Sequence, residues 1–153
     1  MLSWLLVGAT LVTPVIAPIT SRDVSSLPRV TAASSQSIVL IGFFAAWNNT
    51  STPNPTITVT QGQSITIQLS SGDGITHRFF VDVNKNGPTP DCPGADVCSM
   101  FFPPSTVLTF TVSFSPGTYT YYCSLHTTTM LGSFIVLAPP STGGGVGGHM
   151  FIM

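Results

Sequence analysis

The stretch Tyr121-Tyr122-Cys123-Ser124-Leu125-His126-Thr127-Thr128-Thr129-Met130 places a thiol, an imidazole and a thioether at the spacing Cys-x2-His-x3-Met. Soft and borderline donors of this kind select copper over magnesium or calcium, which take oxygen. A trigonal copper set needs a second imidazole. His77, in Gly74-Ile75-Thr76-His77-Arg78-Phe79-Phe80, is the other His inside a strand-patterned region, whereas His149 sits on a Gly-rich tail. Two His, one Cys and a weak axial Met form a compromise acceptable to both Cu(I) and Cu(II), so an electron can move with little rearrangement. Zinc would accept the Cys and His, but a thioether does not suit it. Met130 also has a plainer reading as core packing, since Met fills irregular gaps.

The elements around these residues read as strands. In Thr118–Cys123, Tyr119, Tyr121 and Cys123 share one face, so Cys123 points inward and Tyr122 outward. Leu108, Phe110, Val112 and Phe114 alternate with Val107, Thr109, Thr111 and Ser113, and Ser115-Pro116-Gly117 makes the turn. Gly132–Leu137 returns from the ligand loop. Upstream, residues 38–44 are a continuous apolar run, and 56–60 and 65–69 alternate about the turn Gln61-Gly62-Gln63. His77 stands at the entrance of a strand over 78–83. No helical stripe of useful length occurs. About seven short strands with turn signals predict an all-β, antiparallel sandwich. That topology lets distant parts of the chain meet and brings His77 to the Cys123 loop.

An early His, a late strand ending in Tyr-x-Cys, and His and Met on the next loop resemble the cupredoxin family, the small blue copper proteins that include plastocyanin and amicyanin. The resemblance spans Ser37 to Leu137. It implies a cupredoxin-like Greek-key β-sandwich holding one type 1 copper ion through His77, Cys123, His126 and Met130. It further implies single-electron transfer to a redox protein partner, with His126 at the surface in an apolar patch; Tyr122, adjacent to Cys123 and turned outward, offers a second exit. One position departs from the pattern. The residue after the first His is often Asn in that family and is Arg78 here, so the usual contacts around that His do not carry over.

The rest of the chain bounds this reading. Four Lys and Arg face five Asp and Glu, which argues against nucleic acid as a partner. Such sparse charge would suit acidic surroundings or glycan cover. Three cysteines leave one over from any pairing. With Cys123 in a metal-ligand context, Cys92 and Cys98 form a natural disulfide across turn residues, or else remain two free thiols. A disulfide would imply an extracytoplasmic compartment. It would also tie down the long connection over 84–105. Asp82-Val83-Asn84-Lys85-Asn86-Gly87 matches the front of a calcium loop without its closing Glu and reads as a turn. Asn48 and Asn49 begin overlapping glycosylation sequons.

Residues 1–20 are predicted as an export signal or membrane anchor, 21–36 as a Ser/Thr-rich linker, 37–138 as the cupredoxin domain and 139–153 as a flexible Gly/Pro-rich tail. Full ligation and the lack of a second His cluster speak against an enzyme. An electron carrier is therefore expected, with copper storage or delivery, or an extracellular structural or adhesion module, as alternatives.

Overall fold

A computed structural model of the chain describes residues 34–48 and 51–141. The predicted export or anchor segment, most of the linker, Asn49 and nearly all of the predicted tail lie outside the described residues. Among the described residues nine strands run in chain order: β1 (Ser35–Phe43), β2 (Ala46–Trp47), β3 (Ile57–Thr60), β4 (Ser64–Ser71), β5 (Phe79–Asp82), β6 (Val97–Cys98), β7 (Ser105–Thr111), β8 (Gly117–Cys123) and β9 (Leu131–Leu137). There is no helix among the described residues. The strands form two sheets, ordered β2-β1-β4-β7 and β3-β9-β8-β5-β6. The domain is an all-β sandwich.

Period-two patterning explains the core. Ile65, Ile67 and Leu69 of β4 are buried while Gln68 is exposed, and Tyr119, Tyr121 and Cys123 of β8 are buried on one face. Each fully buried large apolar side chain contributes about 1.5–3 kcal/mol by leaving water. Leu40 and Trp47 from the first sheet meet Phe79, Tyr121 and Phe134 from the second.

Two features go beyond the predicted pattern. The pairs β1–β4 and β3–β9 are parallel, and the remaining pairs are antiparallel. Side-chain alternation is the same for both directions, so the sequence does not separate them. The connection over 84–105 is also less irregular than expected. It carries the short β6, which pairs Cys98 with Phe80 and Val97 with Val81. This segment pairs along the free edge of β5, all four residues of which are buried. β1 begins at Ser35, slightly before the predicted domain start.

Candidate metal centre

The β5–β8 register sets the distance between the two halves of the site. Phe79 pairs with Cys123, so His77 lies just beyond the end of β5 with its side chain on the same inward face as Phe79. His77 is held there by a bridge to Phe102. Its N–H donates to the Phe102 carbonyl at 3.1 Å, and the Phe102 N–H donates back at 3.0 Å. The Ser124 N–H donates to the Arg78 carbonyl at 2.9 Å, extending the ladder past Cys123.

The ligand loop closes on its own backbone. The Cys123 N–H donates to the Met130 carbonyl at 2.8 Å, the His126 N–H to the Cys123 carbonyl at 3.1 Å, and the Met130 N–H to the His126 carbonyl at 2.9 Å. With the main chain satisfied, the side chains are left to one another.

Those side chains converge. Cys123 Sγ lies 3.8 Å from His77 Nδ1 and 3.5 Å from His126 Nδ1. All three donor atoms fall within 4.8 Å of one another. Bonds of about 2.0 Å to imidazole and about 2.3 Å to thiolate, as a divalent first-row ion makes, would separate nitrogen from sulfur by about 3.5–3.7 Å at angles of about 110–120°. The two nitrogen–sulfur separations, 3.5 and 3.8 Å, lie close to that requirement. One metal ion therefore fits between the three atoms.

The surroundings keep water out. His77 and Cys123 are both fully buried, and the Trp47 and Phe102 rings pack on His77 with centroids 6.2 and 5.9 Å away. β1 approaches the imidazole so closely that a Cβ on Gly42 would stand 2.7 Å from His77 Cδ2, which makes glycine necessary there. His126 is half-buried, with the Phe44 ring edge-on at 5.1 Å. Phe44 and Leu125 are largely exposed, giving this end of the domain an apolar rim. Burial, reinforced by His77, lowers the pKa of His126 against a smaller opposing pull from Asp73. His126 is thus favoured in the neutral form that binds metal.

Apart from Asn49 and His149, which lie outside the described residues, the residues singled out from the sequence have a place. His77, Cys123 and His126 come together. Met130 is fully buried in the hydrophobic core where the loop closes. Tyr122 is half-buried on the opposite face of β8 and stacks on Phe80 at 5.2 Å. Cys92 and Cys98 are disulfide-bonded with Cα atoms 6.2 Å apart, and Cys123 is free and buried. Asn48, from the predicted sequon, takes a left-handed conformation, and its side-chain carbonyl accepts the Ile41 N–H at 2.8 Å.

One residue escaped the sequence reading. Asp73 Oδ1 lies 3.0 Å from His77 Nε2, and Asp73 also accepts the N–H groups of Phe44 and Ile75 and the Ser71 hydroxyl. Burial pushes the Asp73 carboxyl up, but these bonds outweigh it and hold the pKa at about 2. In sequence it is one Asp in a Gly-Asp-Gly turn, and no spacing rule marks it.

No family model matches the chain, and no curated protein matches it either. Solved structures do. Auracyanin A, described as a "blue" copper protein from the green thermophilic photosynthetic bacterium Chloroflexus aurantiacus, is similar with 19% identity and a TM-score of 0.51, covering 68% of this chain and all of that one. Auracyanin from Roseiflexus castenholzii shares 21% identity at a TM-score of 0.51, covering 69% and 99% of the two chains. Rusticyanin from Thiobacillus ferrooxidans shares 24% at 0.53, covering 69% of this chain and 79% of its own. The described chain therefore has the cupredoxin fold, and its His77–Cys123–His126 group, with Met130 at the close of the loop, fits a single type 1 copper ion.

Proposed function

We propose that this chain is a type 1 copper electron carrier working outside the cytoplasm. The observation that carries the reading is the convergence of His77 Nδ1, Cys123 Sγ and His126 Nδ1 in a buried, aromatic-lined pocket. Copper, when bound, would supply one-electron Cu(I)/Cu(II) chemistry. Cys123 would supply a thiolate ligand, His77 and His126 would supply imidazole ligands, and Met130 would supply a weaker thioether ligand. The chain's main contribution is to hold these donors fixed. His77 is locked between β1 and the Phe102 bridge, and the loop is closed by its own hydrogen bonds, so the donors would rearrange little if a bound copper changed oxidation state.

His126 is the ligand that reaches the surface, and Phe44 and Leu125 beside it offer an apolar rim for a redox protein partner. Tyr122, stacked on Phe80 next to Cys123, is a second route outward. The Cys92–Cys98 disulfide supports an oxidising compartment. An auracyanin described as a "blue" copper protein supports the metal.

The test is a copper-loaded absorption and paramagnetic resonance spectrum of wild type beside Cys123→Ser. Wild type should show a thiolate-to-Cu(II) charge-transfer band that the variant lacks, and cyclic voltammetry should be reversible. An unchanged spectrum in Cys123→Ser would remove Cys123 as a ligand and the proposal with it.

A further inference from the structure

We infer that Asp73 is a positioning residue for the first histidine ligand, fixing its tautomer and setting a negative charge one imidazole away from the metal position. This rests on the copper reading above. The geometry starts with the single hydrogen bond that matters most: His77 Nε2 donates to Asp73 Oδ1 at 3.0 Å. An imidazole carrying its proton on Nε2 keeps the Nδ1 lone pair free, and Nδ1 is the atom that faces Cys123 Sγ.

Asp73 is itself held rigidly. The Ile75 N–H and the Ser71 hydroxyl also donate to Oδ1, at 3.2 and 3.1 Å, while the Phe44 N–H donates to Oδ2 at 2.6 Å. Among the described residues its one ion-pair partner is His77. Arg78 lies over the Phe101 ring and Lys85 over the Tyr119 ring, so neither of these cations pairs with the carboxylate. The negative charge therefore acts on the imidazole.

The second histidine is reached through Phe44. Its ring packs against His126 at 5.1 Å, its carbonyl accepts the Thr129 hydroxyl at 3.1 Å, and its N–H is the donor to Asp73 Oδ2. One carboxylate thus touches His77 directly and steadies the turn that covers His126. A carboxylate on the far nitrogen of a ligating imidazole makes that ligand more basic and favours the more highly charged metal ion. Cu(II) gains more from it than Cu(I). Arg78, which stands where the resembled family often has Asn, does not serve this purpose: its Nε donates to the Ser99 carbonyl.

The experiment compares copper-loaded wild type, Asp73→Asn and Asp73→Ala by voltammetry and by chelator competition for each oxidation state. Asp73→Asn keeps an acceptor for His77 but loses the charge. It should retain the charge-transfer band, bind Cu(II) about 10-fold more weakly relative to Cu(I), and so raise the reduction potential by about 59 mV. Asp73→Ala, lacking the acceptor as well, should lose more, up to about 100-fold. An Asp73→Asn protein with the wild-type potential, even one that melts earlier, would reduce Asp73 to a structural tie and overturn the inference.

Should that variant not fold, nitrogen resonance of the histidine rings in the wild-type Cu(I) protein decides. His77 should carry its proton on Nε2 and exchange it far more slowly than His126. A proton on Nδ1, or equal exchange, overturns the inference. Failure of the copper reading has a different signature, a wild type with no charge-transfer band at all.

Discussion

Two loop regions of this domain gather polar side chains, and they do opposite things with them. At one end, His77 and His126 turn their Nδ1 atoms to within 3.8 and 3.5 Å of Cys123 Sγ, while the backbone around them is satisfied elsewhere. Beside β5, Asp82, Asp91 and Asp96 also gather, but each carboxylate already accepts two hydrogen bonds. Asp82 accepts the N–H groups of Asn86 and Gly87, Asp96 those of Val83 and Asp91, and Asp91 the side-chain amides of Asn84 and Asn86. Donors left facing each other around a gap make a place for a metal. Acceptors engaged by amides make a folded loop. The calcium-like beginning Asp82–Gly87 belongs to the second class, as a turn should.

The largest expected effect separates the two regions by metal. Saturating copper at a thousand times its dissociation constant would add about 4 kcal/mol of stability, a rise in melting temperature on the order of 15 °C or more. Calcium at millimolar concentration should leave the melting temperature unchanged. A calcium-induced rise in scanning calorimetry would mean that the Asp82–Asp96 loop is a metal site after all.

Next comes the loop's own contribution. Asp96→Ala removes a buried acceptor and orphans the N–H groups of Val83 and Asp91. The cost should be about 2–4 kcal/mol by urea unfolding, with the charge-transfer band of the copper form unaltered. A loss of the band would show that the two regions are coupled. Replacing Cys92 and Cys98 with Ala should cost slightly less, about 2 kcal/mol for so short a closed loop, again without spectral change.

The smallest effect is on pH, in the copper-free protein. The pKa of Asp73, held at about 2, lies below its ordinary value of 3.8, so the unfolded chain takes up that proton first. Its stabilisation is complete above about pH 4 and is lost as pH falls through about 2. His126 is depressed as well, so the unfolded imidazole protonates first and stability falls as pH drops below about 6.5. Both slopes have the same sign. Urea midpoints measured between pH 7.5 and 2 should decline in two steps; a midpoint that rises on acidification from pH 7.5 to 5.5 would contradict the environment described for His126.

What was legible in advance was whatever is written locally. Cys123, His126 and Met130 share one loop, and the alternation in β8 decides that Cys123 faces inward while Tyr122 does not. Partners across the sandwich were a different matter. Asp73 stands only four residues before His77, yet it carries no sequence mark because its contact depends on how the irregular connection between β4 and β5 folds. Trp47 and Gly42 reach His77 from a strand pair far away in the chain, and the parallel pairing of β1 with β4 leaves the period-two pattern unchanged.

The amino-acid order by itself determined the donor types, their spacing on the loop and the strand-by-strand choice of buried face, because side-chain chemistry and backbone period are properties of neighbours in the chain. Only the folded structure decided that His77 Nδ1 comes within 3.8 Å of Cys123 Sγ and that a carboxylate stands behind the imidazole. The first distance follows from strand register between segments 46 residues apart, the second from the fold of the short irregular connection that carries both Asp73 and His77.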